Sequence, residues 1–101
     1  MDFKRLKEEI TVNKTTFKNR LVVPPMVTSY CEENGMPTEQ FIAYHEEKAK
    51  GGWGLIIVED YAIAPNVGGF TRLPGLWDDA QIEPLEREAT VWEEVLECLQ
   101  R

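Results

Sequence analysis

The chain has 101 residues, 43% of them hydrophobic, with 11 basic against 18 acidic side chains and a net charge of -7. That length allows at most one modest domain with a limited core, and an acidic balance without any basic cluster disfavours binding to nucleic acid. The start MDFKRLKEEI lacks the apolar core of a signal peptide and no apolar run approaches the roughly 20 residues of a membrane span, so the sequence reads as a cytoplasmic protein with neither nucleic acid nor membrane as partner.

In chain order, EEITVNKTTFKNR predicts a β-hairpin over residues 8–18, with strands at Ile10 to Val12 and Thr15 to Lys18 around a turn at Asn13 and Lys14. Leu21, Val22 and Val23 have no alternating polar face, the pattern of a short strand buried on both sides. Pro24 and Pro25 end it, because neither carries a backbone N–H. Glu32 to Pro37 form a loop, and Thr38 caps a helix over EQFIAYHEEKAK with Phe41, Ile42, Tyr44 or His45, and Ala49 inward and Gly51-Gly52 closing it. The run WGLIIVED is a second buried strand. Residues 19–60 thus predict a βαβ unit, which requires parallel strands and a right-handed crossover, and the fold class is α/β.

A loop over 61–77 leaves the C-terminal end of that second strand, where α/β proteins place their chemistry. Asp78 or Asp79 then caps a final helix over 79–101, with a predicted apolar stripe at Ile82, Leu85, Ala89, Trp92, Leu96 and Leu99. Glu86, Glu88, Glu93, Glu94 and Glu97 read as its solvated face. His45 has no second ligand at metal spacing and reads as a partly exposed packing residue. Cys31 and Cys98 match no metal spacing and read as free thiols.

The segments KNRLVVPPMVTSY, KAKGGWGLIIVE and GLWDDAQIEPL, in this order, resemble the N-terminal portion of the Old Yellow Enzyme family, in its branch of NADH:flavin oxidoreductases and 2,4-dienoyl-CoA reductases. The similarity covers about residues 7 to 88. It implies a partial (β/α)8 TIM barrel, an N-terminal hairpin plus about two βα units, with FMN at the C-terminal mouth. It places Pro25, Met26, Val27 and Thr28 against the isoalloxazine ring, an apolar wall with a few hydrogen-bonding groups, as a flavin needs. The residue after the glutamate of LIIVE is usually Ala or Gly in the family and is Asp60 here, also close to the flavin. The implied reaction of the complete enzyme is hydride transfer from NAD(P)H through FMN to an activated alkene or enoyl thioester. The family's substrate-binding, proton-donating and phosphate-holding residues fall later in its sequence than this chain extends, so the resemblance implies an N-terminal fragment that is inactive alone. Two rival readings are one piece of a split barrel needing a completing chain, and a small non-catalytic α/β domain that self-associates through open sheet edges.

Overall fold

A computed structural model of the chain describes residues 2–100, and the side chains of residues 68 and 94–100 lie outside that description. The expectations for Glu94, Leu96, Glu97, Cys98 and Leu99, and the domain limits at Met1 and Arg101, therefore fall outside the described residues.

A short helix α1 (Lys4–Lys7) leads into an antiparallel hairpin of β1 (Ile10–Val12) and β2 (Thr15–Phe17), registered Ile10 opposite Phe17 and Val12 opposite Thr15. Asn13 takes the left-handed conformation that the tight turn requires, a geometry asparagine tolerates better than most residues. The Thr11 and Thr16 hydroxyls meet across the pair at 2.8 Å. One backbone bond, Arg20 N–H to the Leu6 carbonyl, ties α1 to the chain that follows β2.

Strands β3 (Val22–Val23) and β4 (Leu55–Ile56) pair in parallel, joined by helix α2 (Glu39–Lys50), which gives the βαβ arrangement. The two prolines after Val23 confine the ladder, and one further bond, Ile57 N–H to the Val23 carbonyl, extends it past β4. Asn19 fixes the approach: its side-chain amide donates to the Gly52 carbonyl at 2.8 Å while its Oδ1 accepts from Leu21 N–H. Gly54 passes so close to Asn19 that an added Cβ would sit 2.6 Å from Asn19 Oδ1, so this position tolerates only glycine.

Helix α2 begins where Thr38 Oγ1 accepts from Phe41 N–H and ends at Gly51. Phe41, Ile42, His45 and Ala49 are buried along one face, spaced at one, three and four residues. This face packs against helix α3 (Ile82–Gln100). Ahead of α3, Asp78 caps a single 3₁₀ turn at Asp79–Gln81 and forms a capping box with Gln81. Buried Gln81 also accepts from Trp77 N–H at 2.9 Å and donates to the Asn34 carbonyl at 3.0 Å, which joins the two loops on that side. The long loop after β4 returns to itself through Ala62 N–H to Pro74 and Leu76 N–H to Ala62.

Four expectations are corrected. The strands are not buried on both sides: Val23 and Ile56 are half-buried, but Val22 is 46% exposed and its partner Leu55 is exposed too. A sheet of two strands has few neighbours to cover that paired position. The predicted apolar stripe of the last helix is displaced: Ile82 and Ala89 face solvent, whereas Gln81 and Glu88 are buried and Leu85, Val91 and Trp92 half-buried. Glu88 is therefore no part of a solvated face, because the Tyr61 hydroxyl reaches it across the loop at 3.1 Å. His45 is buried rather than partly exposed, enclosed edge-on by Phe41, Tyr44 and Trp92.

Candidate functional site

The C-terminal ends of β3 and β4 lie side by side because the strands are parallel, so the segments that follow them, Pro24 to Tyr30 and Ile57 to Tyr61, share one end of the sheet. Pro25 and Asp60 are exposed there, Met26 is 67% and Val27 38% exposed, and Thr28 is half-buried. Among the described residues, neither the Met26 nor the Val27 amide N–H donates to another protein group. A cavity of about 220 Å³ runs beneath Met26, bounded by Pro24, Ile57, Tyr44 and His45.

Thr28 is bound to the second segment. Its amide N–H donates to Glu59 Oε2 at 3.2 Å and its hydroxyl to Glu59 Oε1 at 2.7 Å, while the hydroxyl oxygen accepts from Tyr30 N–H at 3.3 Å. Residues 25 to 28 and Asp60 are thereby brought to the same end of the sheet, linked through Thr28 and the neighbour of Asp60. Both Thr28 donors are used within the protein.

Behind this link lies a polar cluster within an otherwise small core. His45 Nε2 stands 3.6 Å from Glu59 Oε1, beyond hydrogen-bond range, and neither of its ring nitrogens has a hydrogen-bond partner among the described residues. Burial lowers the His45 pKa; the nearby Glu59 charge opposes this and Lys48 adds to it. Glu88 is wholly buried, and burial pushes its carboxyl up to about 7, against the lowering effect of the Tyr61 hydroxyl. Burial likewise raises Tyr61, and the Glu88 charge reinforces it. Among the described residues, no three of His, Cys, Asp and Glu gather closely enough to hold a metal ion, and no described helix is long and apolar enough to cross a membrane.

Cys31 sits at the floor of the cluster as a free, buried thiol in contact with the Phe41 and Ile42 core. Burial pushes its pKa up to about 12, and the charges of Glu59 and Glu88 add to the shift. We expect iodoacetamide at pH 8 to label Cys31 about 100-fold or more slowly in the folded chain than in urea, since the thiolate is the reactive form. Peptide mass spectrometry reads this for Cys31 separately from Cys98; equal rates in the two conditions would contradict the burial.

Pro25, Met26, Val27, Thr28 and Asp60, singled out in the sequence, lie at this end of the fold, but sequence reasoning missed Glu59, Glu88, His45 and Tyr61 as a cluster. One signal was present: Glu59 interrupts the apolar run LIIV with a charge. A charge at that place needs a donor nearby. Its partner Thr28 lies 31 residues away in sequence and nothing local names it.

A parallel strand pair with an apolar, exposed strand end and linked following segments is a frequent ligand-binding arrangement of α/β proteins. The sequence profile of the NADH:flavin oxidoreductase / NADH oxidase family matches residues 5–95, and the chain belongs to that family. It is 38% identical over 85 residues to a bilirubin reductase of Mediterraneibacter gnavus, covering 84% of this chain and 13% of that protein. It is 37% identical over 86 residues to an NADPH dehydrogenase of Listeria monocytogenes, covering 82% of this chain and 25% of the relative. Among solved structures it matches the old yellow enzyme of Trypanosoma cruzi with a TM-score of 0.77 at 30% identity, covering 91% of this chain and 24% of that one. The chain thus has the α/β fold of one segment of an old yellow enzyme and spans a quarter or less of the length of these relatives.

Proposed function

We propose that this chain forms one wall of the flavin site in an FMN-dependent NAD(P)H oxidoreductase, as the N-terminal part of a (β/α)8 barrel. The supporting observation is the exposed apolar strand end at Met26 and Val27, whose two amide N–H groups have no partner among the described residues, in a member of a flavin oxidoreductase family. Pro25, Met26 and Val27 fit the apolar face of an isoalloxazine ring, and the two free N–H groups fit its polar edge. Thr28 has no donor left for a flavin and holds the segment in place instead. Asp60 stands at the rim, where its exposure lets the carboxylate stay hydrated beside an electron-rich ring.

The chemistry FMN supplies when bound is hydride transfer from NADH or NADPH to an activated alkene or enoyl thioester. The residues described here bind and orient; none is assigned a proton-transfer step. The bare sheet face, with Val22, Leu55 and the 45%-exposed Ile57, is where the remaining strands of the barrel or a completing chain would pack, with a second copy as the substitute when neither is present.

Flavin fluorescence titration of the purified 101-residue chain tests this reading. We expect weak binding in which FMN and riboflavin differ by less than about three-fold, because the wall contacts the ring and leaves the phosphate in solvent. We also expect no NADH oxidation by the chain alone. No quenching by either flavin, or NADH turnover by the isolated chain, would overturn the proposal.

A further inference from the structure

We infer that Glu59 is the positioning residue of the flavin wall: its buried carboxylate fixes the Pro25 to Thr28 segment from behind. The inference rests on the flavin reading above for its functional meaning and on geometry for its existence. The Glu59 side chain is fully buried, and each of its oxygens accepts one Thr28 donor, Oε2 from the amide and Oε1 from the hydroxyl. Only a carboxylate presents two acceptors to two donors on one residue; glutamine would turn its NH₂ toward one of them.

The clamp does not stop at Thr28. The Thr28 hydroxyl oxygen holds Tyr30 N–H, and the Tyr30 carbonyl accepts from the Thr38 hydroxyl, which also caps helix α2. The segment is therefore fastened at one end to the strand-end glutamate and at the other to a helix start. Between these anchors Ser29 is held at φ 57°, a left-handed conformation that a non-glycine residue keeps only where its surroundings fix it. Met26 and Val27 project from a segment whose own side chains do little to hold it, so their position depends on this chain of bonds.

The groups that face Glu59 are His45 from α2, Glu88 from α3, and Cys31 and Tyr61 from the loops. His45 lies nearest, at 3.6 Å, and without a hydrogen bond it leaves both carboxylate oxygens to Thr28.

The test uses the ¹⁵N-labelled full chain, its Glu59→Gln variant and its Thr28→Val variant, the last keeping the carboxylate and the side-chain shape while removing the two bonds of the hydroxyl, to Glu59 and from Tyr30. We expect Thr28 amide exchange to accelerate about ten-fold in E59Q and at least about three-fold in T28V, while the Ile42 amide in α2 is unchanged. Flavin affinity should fall about five-fold in both variants. If Thr28 is unprotected in the unaltered chain, or equally protected in all three, the clamp is wrong. Flavin binding that is present and unaffected by either variant overturns the positioning role while leaving the flavin wall standing. Loss of Thr28 protection in the variants with no flavin binding by any of the three supports the clamp and removes the flavin reading.

Discussion

Replacing Phe41 with alanine is expected to cost about 3–5 kcal/mol, the usual price of emptying a buried aromatic site. Phe41 is fully buried and forms the centre of the core with Cys31 and Ile42, against which Tyr30 and Val91 pack. It also meets the His45 ring edge-on at 4.9 Å. Few other large side chains are buried to this degree, so neighbours cannot refill the space. A chain of this size has a total stability on the order of 5–15 kcal/mol, and one substitution removes a large fraction of it. The melting temperature should fall by roughly 15 °C or more. Val22→Ala, on the bare face, should shift it by only a few degrees, and equal losses from the two would mean that the core lies elsewhere.

Glu88→Gln is expected to stabilise the chain at pH 8 and to leave it nearly unchanged at pH 4. The carboxyl of Glu88 is raised from an ordinary value of 4.5 to about 7, first by burial and then by the Glu59 charge, with the Tyr61 hydroxyl opposing. Below pH 4.5 the group is protonated both folded and unfolded and contributes nothing to the pH dependence. Between 4.5 and 7 the unfolded chain binds fewer protons than the folded one, so stability falls as pH rises through that window. Above 7 the full penalty persists, on the order of 3 kcal/mol. Glutamine keeps an oxygen for the Tyr61 hydroxyl and removes the charge, so E88Q should melt at least about 10 °C higher than the unaltered chain at pH 8. His45 acts in the opposite sense: its lowered pKa makes stability rise with pH up to about 6.5, and the difference between the two proteins cancels that contribution. Thermal melts of both proteins from pH 4 to 8 check this. Curves that run parallel across the range would show that Glu88 is not buried as a charge.

The elements that sequence reading located are those with local signals. Asn13 supplies the hairpin turn, Thr38 precedes the periodic apolar positions of α2, and Pro24-Pro25 halts β3. Each depends on a few consecutive residues whose backbone preferences agree. What escaped depends on partners far along the chain. Glu88 stands among five other glutamates on one helix and reads as solvent-facing until Tyr61, 27 residues earlier, is seen to reach it. His45 looks like an ordinary helix residue until Trp92 closes over it at 5.2 Å. The exposure of Val22 is illegible for a different reason: its side chain is suited to burial, and whether anything covers it depends on layers that two strands do not themselves provide. For Pro25, Met26, Val27 and Thr28 the family resemblance carried the reading, since prolines followed by apolar side chains at a strand end do not by their type separate a flavin contact from core; the exposure of Met26 and Val27 emerges only in the structure.

The central claim is that a flavin ring rests on the strand end at Met26 and Val27. Its most direct measurement is a two-dimensional NMR titration of the full chain with FMN, following the Met26 and Val27 methyl groups together with the Thr28 and Asp60 amides. Aromatic ring currents should shift these four sites first and most, with the β-hairpin at Ile10 to Phe17 unmoved. Shifts centred on the hairpin or on Ile63 to Phe70, with Met26 and Val27 unchanged at saturating flavin, would contradict it.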